Sequence, residues 1–184
     1  LLFYNDYGLN NPAKREKCYQ LVKGMLERGI PIHGIGMQGH YNVNMDYNTV
    51  DESLTRFEEL GVLIQFTELD IAGGGPDRRR QRQQQQDQMA GLGGYSGDGG
   101  LAAPELTEEQ KARQDSLVTE AYKKFFAVVK KHKKSIHTIT FWGLADNYSW
   151  LNSRSRQNAP FLFDGEYKAK SAYFAVRDLW RSKD

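Results

Sequence analysis

The chain has 184 residues, 39% hydrophobic and 26% charged, an ordinary soluble globular composition whose length suggests one domain. Its 25 basic and 23 acidic residues leave a formal charge of +2, which points to neither a nucleic acid nor a membrane surface as partner. No apolar run approaches the roughly 18 residues of a membrane span, and the single cysteine excludes an internal disulfide.

The opening at Leu1-Leu2-Phe3 does not read as a signal peptide. It starts inside a strand pattern with no lead-in, as a piece of a longer polypeptide would. Leu1 to Tyr4 reads as a buried strand ending in the polar aromatic tip Asn5-Asp6-Tyr7. Pro12 opens a helix with Cys18, Leu21, Val22, Met25 and Leu26 at helical spacing, and Gly29 stops it. On that stripe Cys18 reads as a buried, inert thiol. The next strand is Gly34 to His40; its glycines suit a tightly curved barrel strand, and Gln38 and His40 share a face at its end. A second helix covers about Thr49 to Leu60, apolar at Val50, Leu54, Phe57 and Leu60, with Gly61 as its stop.

Val62 to Ile71 is an apolar strand that ends in two carboxylates. Alternation places Glu68 and Asp70 on one face. From Gly73 to about Pro104 the chain is rich in Arg, Gln and Gly, which predicts a long loop, mobile at least in part. Its Arg78-Arg79-Arg80-Gln81-Arg82 cluster has no interleaved aromatics and reads as a solvated loop rather than a nucleic-acid patch. Thr107-Glu108-Glu109-Gln110 is a capping-box start to a helix reaching about Lys131, with a stripe of Leu117, Val118, Ala121, Phe125, Val128 and Val129. A fourth strand runs Ile136 to Trp142, followed by an aromatic loop with Tyr148 and Trp150. Phe161 to Gly165 then turns into a last helix, Ala169 to Trp180.

Strand and helix alternate four times, which predicts a parallel sheet with right-handed crossovers. The polar clusters fall at the C-terminal ends of the strands, the active face of a (β/α)8 barrel. Such a barrel needs eight units and about 250 residues. The expected fold is therefore α/β, one half of a barrel.

Tyr4-Asn5-Asp6-Tyr7, Gly34-Ile35-Gly36-Met37-Gln38-Gly39-His40, Thr67-Glu68-Leu69-Asp70-Ile71 and Thr140-Phe141-Trp142-Gly143 with Trp150 together resemble family 10 glycoside hydrolases, the endo-β-1,4-xylanases. The likeness runs in order through nearly the whole chain, 1–184, weakening only in the loop at about 73–104. It implies the C-terminal half of a (β/α)8 barrel that cleaves xylan with retention of configuration. By resemblance, Glu68 is the nucleophile, His40 its hydrogen-bond partner and Asp70 the acid that orients the histidine. Gln38, Asn5 and Tyr4 match positions near the sugar, and Trp142 and Trp150 the aromatic walls of the glycone side. No metal or cofactor is implied.

Retaining hydrolysis needs two carboxyls about 5–5.5 Å apart. In the family the acid/base glutamate closes the fourth strand in a Trp-Asp-Val-Val-Asn-Glu-like motif, and this chain begins at the equivalent of the fifth. Asp6, Asp70 or Asp146 could substitute only against the family pattern. The chain is therefore expected to be inactive alone and to need the N-terminal half of the barrel, as another chain or as a missing segment. A polymeric substrate implies an extracellular, periplasmic or cell-surface location.

The chemistry suits these residues. A carboxylate beneath the anomeric carbon attacks and stabilises an oxocarbenium-like transition state, and tryptophan faces can bury the apolar faces of sugars. Without the surrounding motifs, Glu68 would read as a cap or ion-pair partner and His40 as a satisfied histidine. His33, His132 and His137 read as structural or exposed, and Trp180 as helix packing. Two rivals remain: a related retaining β-glucanase, and a catalytically inactive xylan-binding protein.

Overall fold

The computed structural model describes residues 1–73, 106–152 and 157–182. The elements are β1 (Phe3–Tyr7), α1 (Pro12–Glu27), β2 (Gly34–Asn42), α2 (Asn48–Glu58), β3 (Leu63–Ala72), α3 (Glu108–Lys131), β4 (Ile136–Phe141), a 3-10 turn (Asp146–Tyr148) and α4 (Ser171–Arg181). The four strands pair in parallel in chain order. This is the strand-helix succession expected for the C-terminal half of a (β/α)8 barrel. The loop reading at 73–104, with Arg78 to Arg82, lies outside the described residues from residue 74 onward.

Local chemistry sets the helix ends. The Asn11 side chain accepts from the backbone N–H groups of Ala13 and Lys14 at the start of α1, where Pro12 needs no donor partner. Thr107 and Gln110 close the capping box of α3 in both directions. β1 starts two residues later than expected and takes in Asn5, Asp6 and Tyr7, because each pairs in register with β2 from Gly36 to Gln38. Similarly, α4 starts at Ser171 because Ala169 is held in a bridge to Phe163. Trp180 remains 44% exposed, so it is not the packing anchor expected of it. Among the described residues, no helix is long and apolar enough to cross a membrane.

The sheet has two different faces. Toward the helices, Ile35, Met37, Ile64 and Phe66 meet Val22, Leu54, Phe57, Val118 and Phe125 in one buried core. Cys18 lies in this core, and burial above all pushes its thiol up to about 12, so it is no nucleophile. The other face corresponds to the barrel interior. There the side chains of β1 lie across β2: a Cβ on Gly34 would come within 2.1 Å of the Phe3 ring, and one on Gly36 within 2.5 Å of Asn5 Oδ1. The glycines thus make room for side chains of the next strand as well as for close backbones. The Phe3 ring reaches on to stack against His137 of β4, centroids 6.1 Å apart. First and fourth strands touch across this face, so the sheet is curled into an arc.

His33 Nδ1 accepts the Leu2 N–H, and the buried His132 ring sits between Glu58 and Asp51 at 2.8 and 2.6 Å, tying the end of α3 to α2. Both serve the scaffold.

Candidate active site

Register between β2 and β3 runs residue for residue from Gly34↔Leu63 to Gln38↔Thr67, then resumes at His40↔Asp70. β2 advances two residues there and β3 advances three, so β3 carries a bulge. Glu68 lies in it with φ +57. That left-handed backbone costs a non-glycine residue about 1–3 kcal/mol and persists at functional sites.

The bulge reverses the strand's parity. Before it, Ile64 and Phe66 face the helices; after it, Leu69 and Ile71 do, all four fully buried in the core. Simple alternation would have sent Glu68 and Asp70 to the helix side with Ile64 and Phe66. With the extra residue, both carboxylates reach the inner face. They share a face as expected, but through a bulge.

One histidine joins them. His40 Nε2 lies 3.0 Å from Glu68 Oε2, and Nδ1 lies 3.1 Å from Asp70 Oδ2. Asp70 is 1% exposed, whereas Glu68 remains open to the inner face. Burial alone pulls the imidazole's pKa down, but the hydrogen bonds and charges of Asp70 and then Glu68 outweigh it and raise it above 6.5. A raised folded-state value stabilises the protein fully below the unfolded value and loses that contribution as pH rises through the folded one. The stability difference between wild type and His40→Gln should therefore be largest below about pH 6.5 and shrink at higher pH in denaturant melts. A difference that grows with pH would contradict the ionic role of His40.

The two tryptophans stand against the same ring. Trp142 meets His40 edge-on at 6.2 Å between centroids and Trp150 at 5.2 Å, and both remain about half exposed. Trp150 Nε1 also donates to Asp70 Oδ2 at 2.7 Å. Asn5 lies on the inner face, where its Oδ1 accepts from Thr67 Oγ1 at 2.9 Å. Gln38 is in register with both Tyr7 and Thr67.

Tyr4 is not brought to this group. It is offset by one residue from Asn5 and packs on the helix-side core, its hydroxyl donating to Asp6 Oδ2 at 3.0 Å. Burial first, and the Asp6 carboxylate second, hold its phenol up to about 12. Strand parity puts Tyr7 on the inner face in its place. Tyr7 is 65% exposed, with Lys14 Nζ 3.5 Å from its ring centre. Tyr7 and Thr67 are the inner-face residues missed from the sequence; the signal that could have found them is period-2 alternation with Asn5 and Gln65.

Asp6 and Asp146 are committed elsewhere. Asp6 accepts from Lys14 Nζ at 2.8 Å, from Tyr4 and from the Tyr7 N–H. Burial pushes its carboxyl up, but those donors more than offset this and the net shift is downward. Asp146 binds Lys170 Nζ at 2.8 Å and the Phe161 N–H at 2.9 Å. Burial raises it on balance, against Lys170. Among the described residues, no group of three or more His, Cys, Asp or Glu side chains is arranged to hold a metal ion.

Residues 1–179 match the family model for glycosyl hydrolase family 10. An endo-1,4-beta-xylanase of Geobacillus stearothermophilus is 40% identical over 185 residues, covering 97% of this chain and 48% of the relative. Among solved structures, xylanase XynB of Paenibacillus barcinonensis superposes with a TM-score of 0.74 at 34% identity, over 96% of this chain and 47% of that one. The intracellular xylanase TsXylA of Thermoanaerobacterium saccharolyticum, solved as a glutamate-to-alanine mutant with xylotriose, superposes with a TM-score of 0.70 at 32% identity, over 95% of this chain and 43% of that one. The chain spans about half the length of the curated relatives it matches. With the parallel half-barrel and the carboxylate-histidine-carboxylate group at its inner strand ends, these matches make the chain a member of glycosyl hydrolase family 10, corresponding to the C-terminal half of the catalytic barrel.

Proposed function

We propose that this chain supplies the nucleophile half of a retaining endo-1,4-β-xylanase. The observation that carries the reading is His40 bridging Glu68 and the buried Asp70 on the inner face of the half-barrel. In this reading Glu68 attacks the anomeric carbon from the α face as the protonated leaving oxygen departs from the β face, forming a glycosyl-enzyme. Water, deprotonated by the acid/base, then attacks from the β face and frees Glu68, so the product keeps the β configuration. His40 donates to Glu68 and orients its carboxylate, and Asp70 fixes the ring. Trp142 and Trp150 bury the sugar's apolar faces, while Asn5 and Gln38 bind hydroxyls.

The proton for the leaving oxygen comes from elsewhere. Asp6, Asp70 and Asp146 are each held by donors inside this chain. The acid/base therefore belongs to the N-terminal half of the barrel, which we propose as this chain's partner, as a separate polypeptide or as a further part of the same one. The polymeric substrate supports, as part of the same proposal, an extracellular, periplasmic or cell-surface location. The xylose-linked substrate is supported by the xylanase relatives and by the xylotriose bound in one neighbour.

The test is hydrolysis by the assembled barrel of β-1,4-xylan and β-1,4-glucan oligosaccharides, with the first-formed anomer followed by NMR. Faster turnover of the xylan series with a β product is expected. Faster turnover of the glucan series would favour a β-glucanase, and an α product would overturn the retaining mechanism. Tight xylan binding without turnover would favour a binding protein.

A further inference from the structure

Trp150 does more in the structure than line a wall. Its indole N–H makes the shortest hydrogen bond that Asp70 receives, 2.7 Å against 3.1 Å for His40, and both reach the same oxygen, Oδ2. The other oxygen, Oδ1, is buried and has no hydrogen-bond partner among the described residues. Among the described residues, this carboxylate, 1% exposed, is held through one atom by two donors. One donor is the histidine that reaches Glu68; the other is the tryptophan whose ring lies against that histidine, centroids 5.2 Å apart.

The loop that carries Trp150 is fixed from behind. Lys170 and the Phe161 N–H pin Asp146 at the start of the 3-10 turn, and the Asn158 side chain donates to the Leu151 carbonyl just past the tryptophan. The indole is thus delivered by anchors independent of Asp70. It can set the carboxylate rather than merely follow it.

We propose that Trp150 is a positioning residue: its indole N–H fixes Asp70 and, through Asp70 and His40, the carboxylate of Glu68. This rests on the reading of Glu68 as nucleophile. The sugar wall and the nucleophile then form one mechanical unit, in which a ring packed on Trp150 presses on the group that holds the triad. Removing only the N–H leaves Asp70 one donor for two buried oxygens. Hydrogen bonds to charged groups are among the stronger ones, so the loss should be felt in the transition state.

The experiment replaces Trp150 with phenylalanine, and separately with benzothienylalanine, which keeps the bicyclic shape and exchanges N–H for sulfur. Both are made in the assembled enzyme. For the isostere, kcat on xylo-oligosaccharides should fall about tenfold or more, with KM within about twofold. The His40 ring-nitrogen NMR titration should move to higher pH, because more of the Asp70 charge then faces Nδ1. An unchanged kcat with a raised KM would make Trp150 only a wall and overturn the proposal. An unchanged His40 titration would overturn it too. If the wild-type assembly cleaves no β-1,4-glycan, the enzymatic reading fails by itself, and the His40 titration still decides whether Trp150 sets the triad.

Discussion

Glu68→Ala in the assembled enzyme is expected to lower kcat on xylan by about ten-thousand-fold or more, because in the proposed mechanism Glu68 is the group that forms the covalent intermediate. The loss should be partly reversible in a specific way. With an activated aryl xyloside, added azide can occupy the space the carboxylate leaves and attack the same carbon. The product is then an α-xylosyl azide, of inverted configuration, because the second displacement never occurs. The backbone offers an internal control. Position 68 has φ +57, which glycine adopts at little cost and alanine does not. Glu68→Gly should therefore be more stable than Glu68→Ala by about 1 kcal/mol, while both lack activity. Equal stability would deny that the bulge is strained, and retained activity would remove Glu68 from the chemistry.

The chain by itself is expected to turn over no measurable xylan, and adding the N-terminal half of the barrel is expected to restore turnover. Two physical gaps require this. Among the described residues, Asp6, Asp70 and Asp146 are each engaged by donors of this chain, and losing general acid catalysis alone removes about 100- to 10,000-fold. In addition, β1 and β4 are the outer strands of the sheet and have no neighbouring strand beyond them among the described residues, so their edges invite pairing with another strand. Separately expressed halves mixed after refolding would show activity appear with complex formation. Turnover of xylan by the chain alone at the rate of the complex would mean that one of its own carboxyls donates the proton.

Much of this was readable from local chemistry. The Thr107-Gln110 box, Pro12 and the apolar run before Glu68 state their structures through side-chain hydrogen bonding, fixed φ and burial. The meeting of His40, Glu68 and Asp70 was legible only because several motifs stood together in order. What escaped is tertiary. Nothing in Thr67-Glu68-Leu69-Asp70 marks a positive φ, since glutamate has no preference for that region; the bulge exists because β2 and β3 hold their register on both sides of it. The resemblance sets Tyr4 near the sugar, whereas the structure packs Tyr4 toward the helices and turns Tyr7 inward, because which of two alternating residues faces inward depends on the β1–β2 register. The indole bond to Asp70 spans 80 residues, and no pattern in sequence foretells it.

The most direct test of the central claim is covalent trapping. A xylobioside with fluorine beside the reacting carbon and a reactive leaving group slows both displacements and lets the glycosyl-enzyme accumulate. Peptide mass mapping of the trapped, assembled enzyme should find the sugar on Glu68. A label on another carboxylate, or hydrolysis with no covalent adduct, would contradict it.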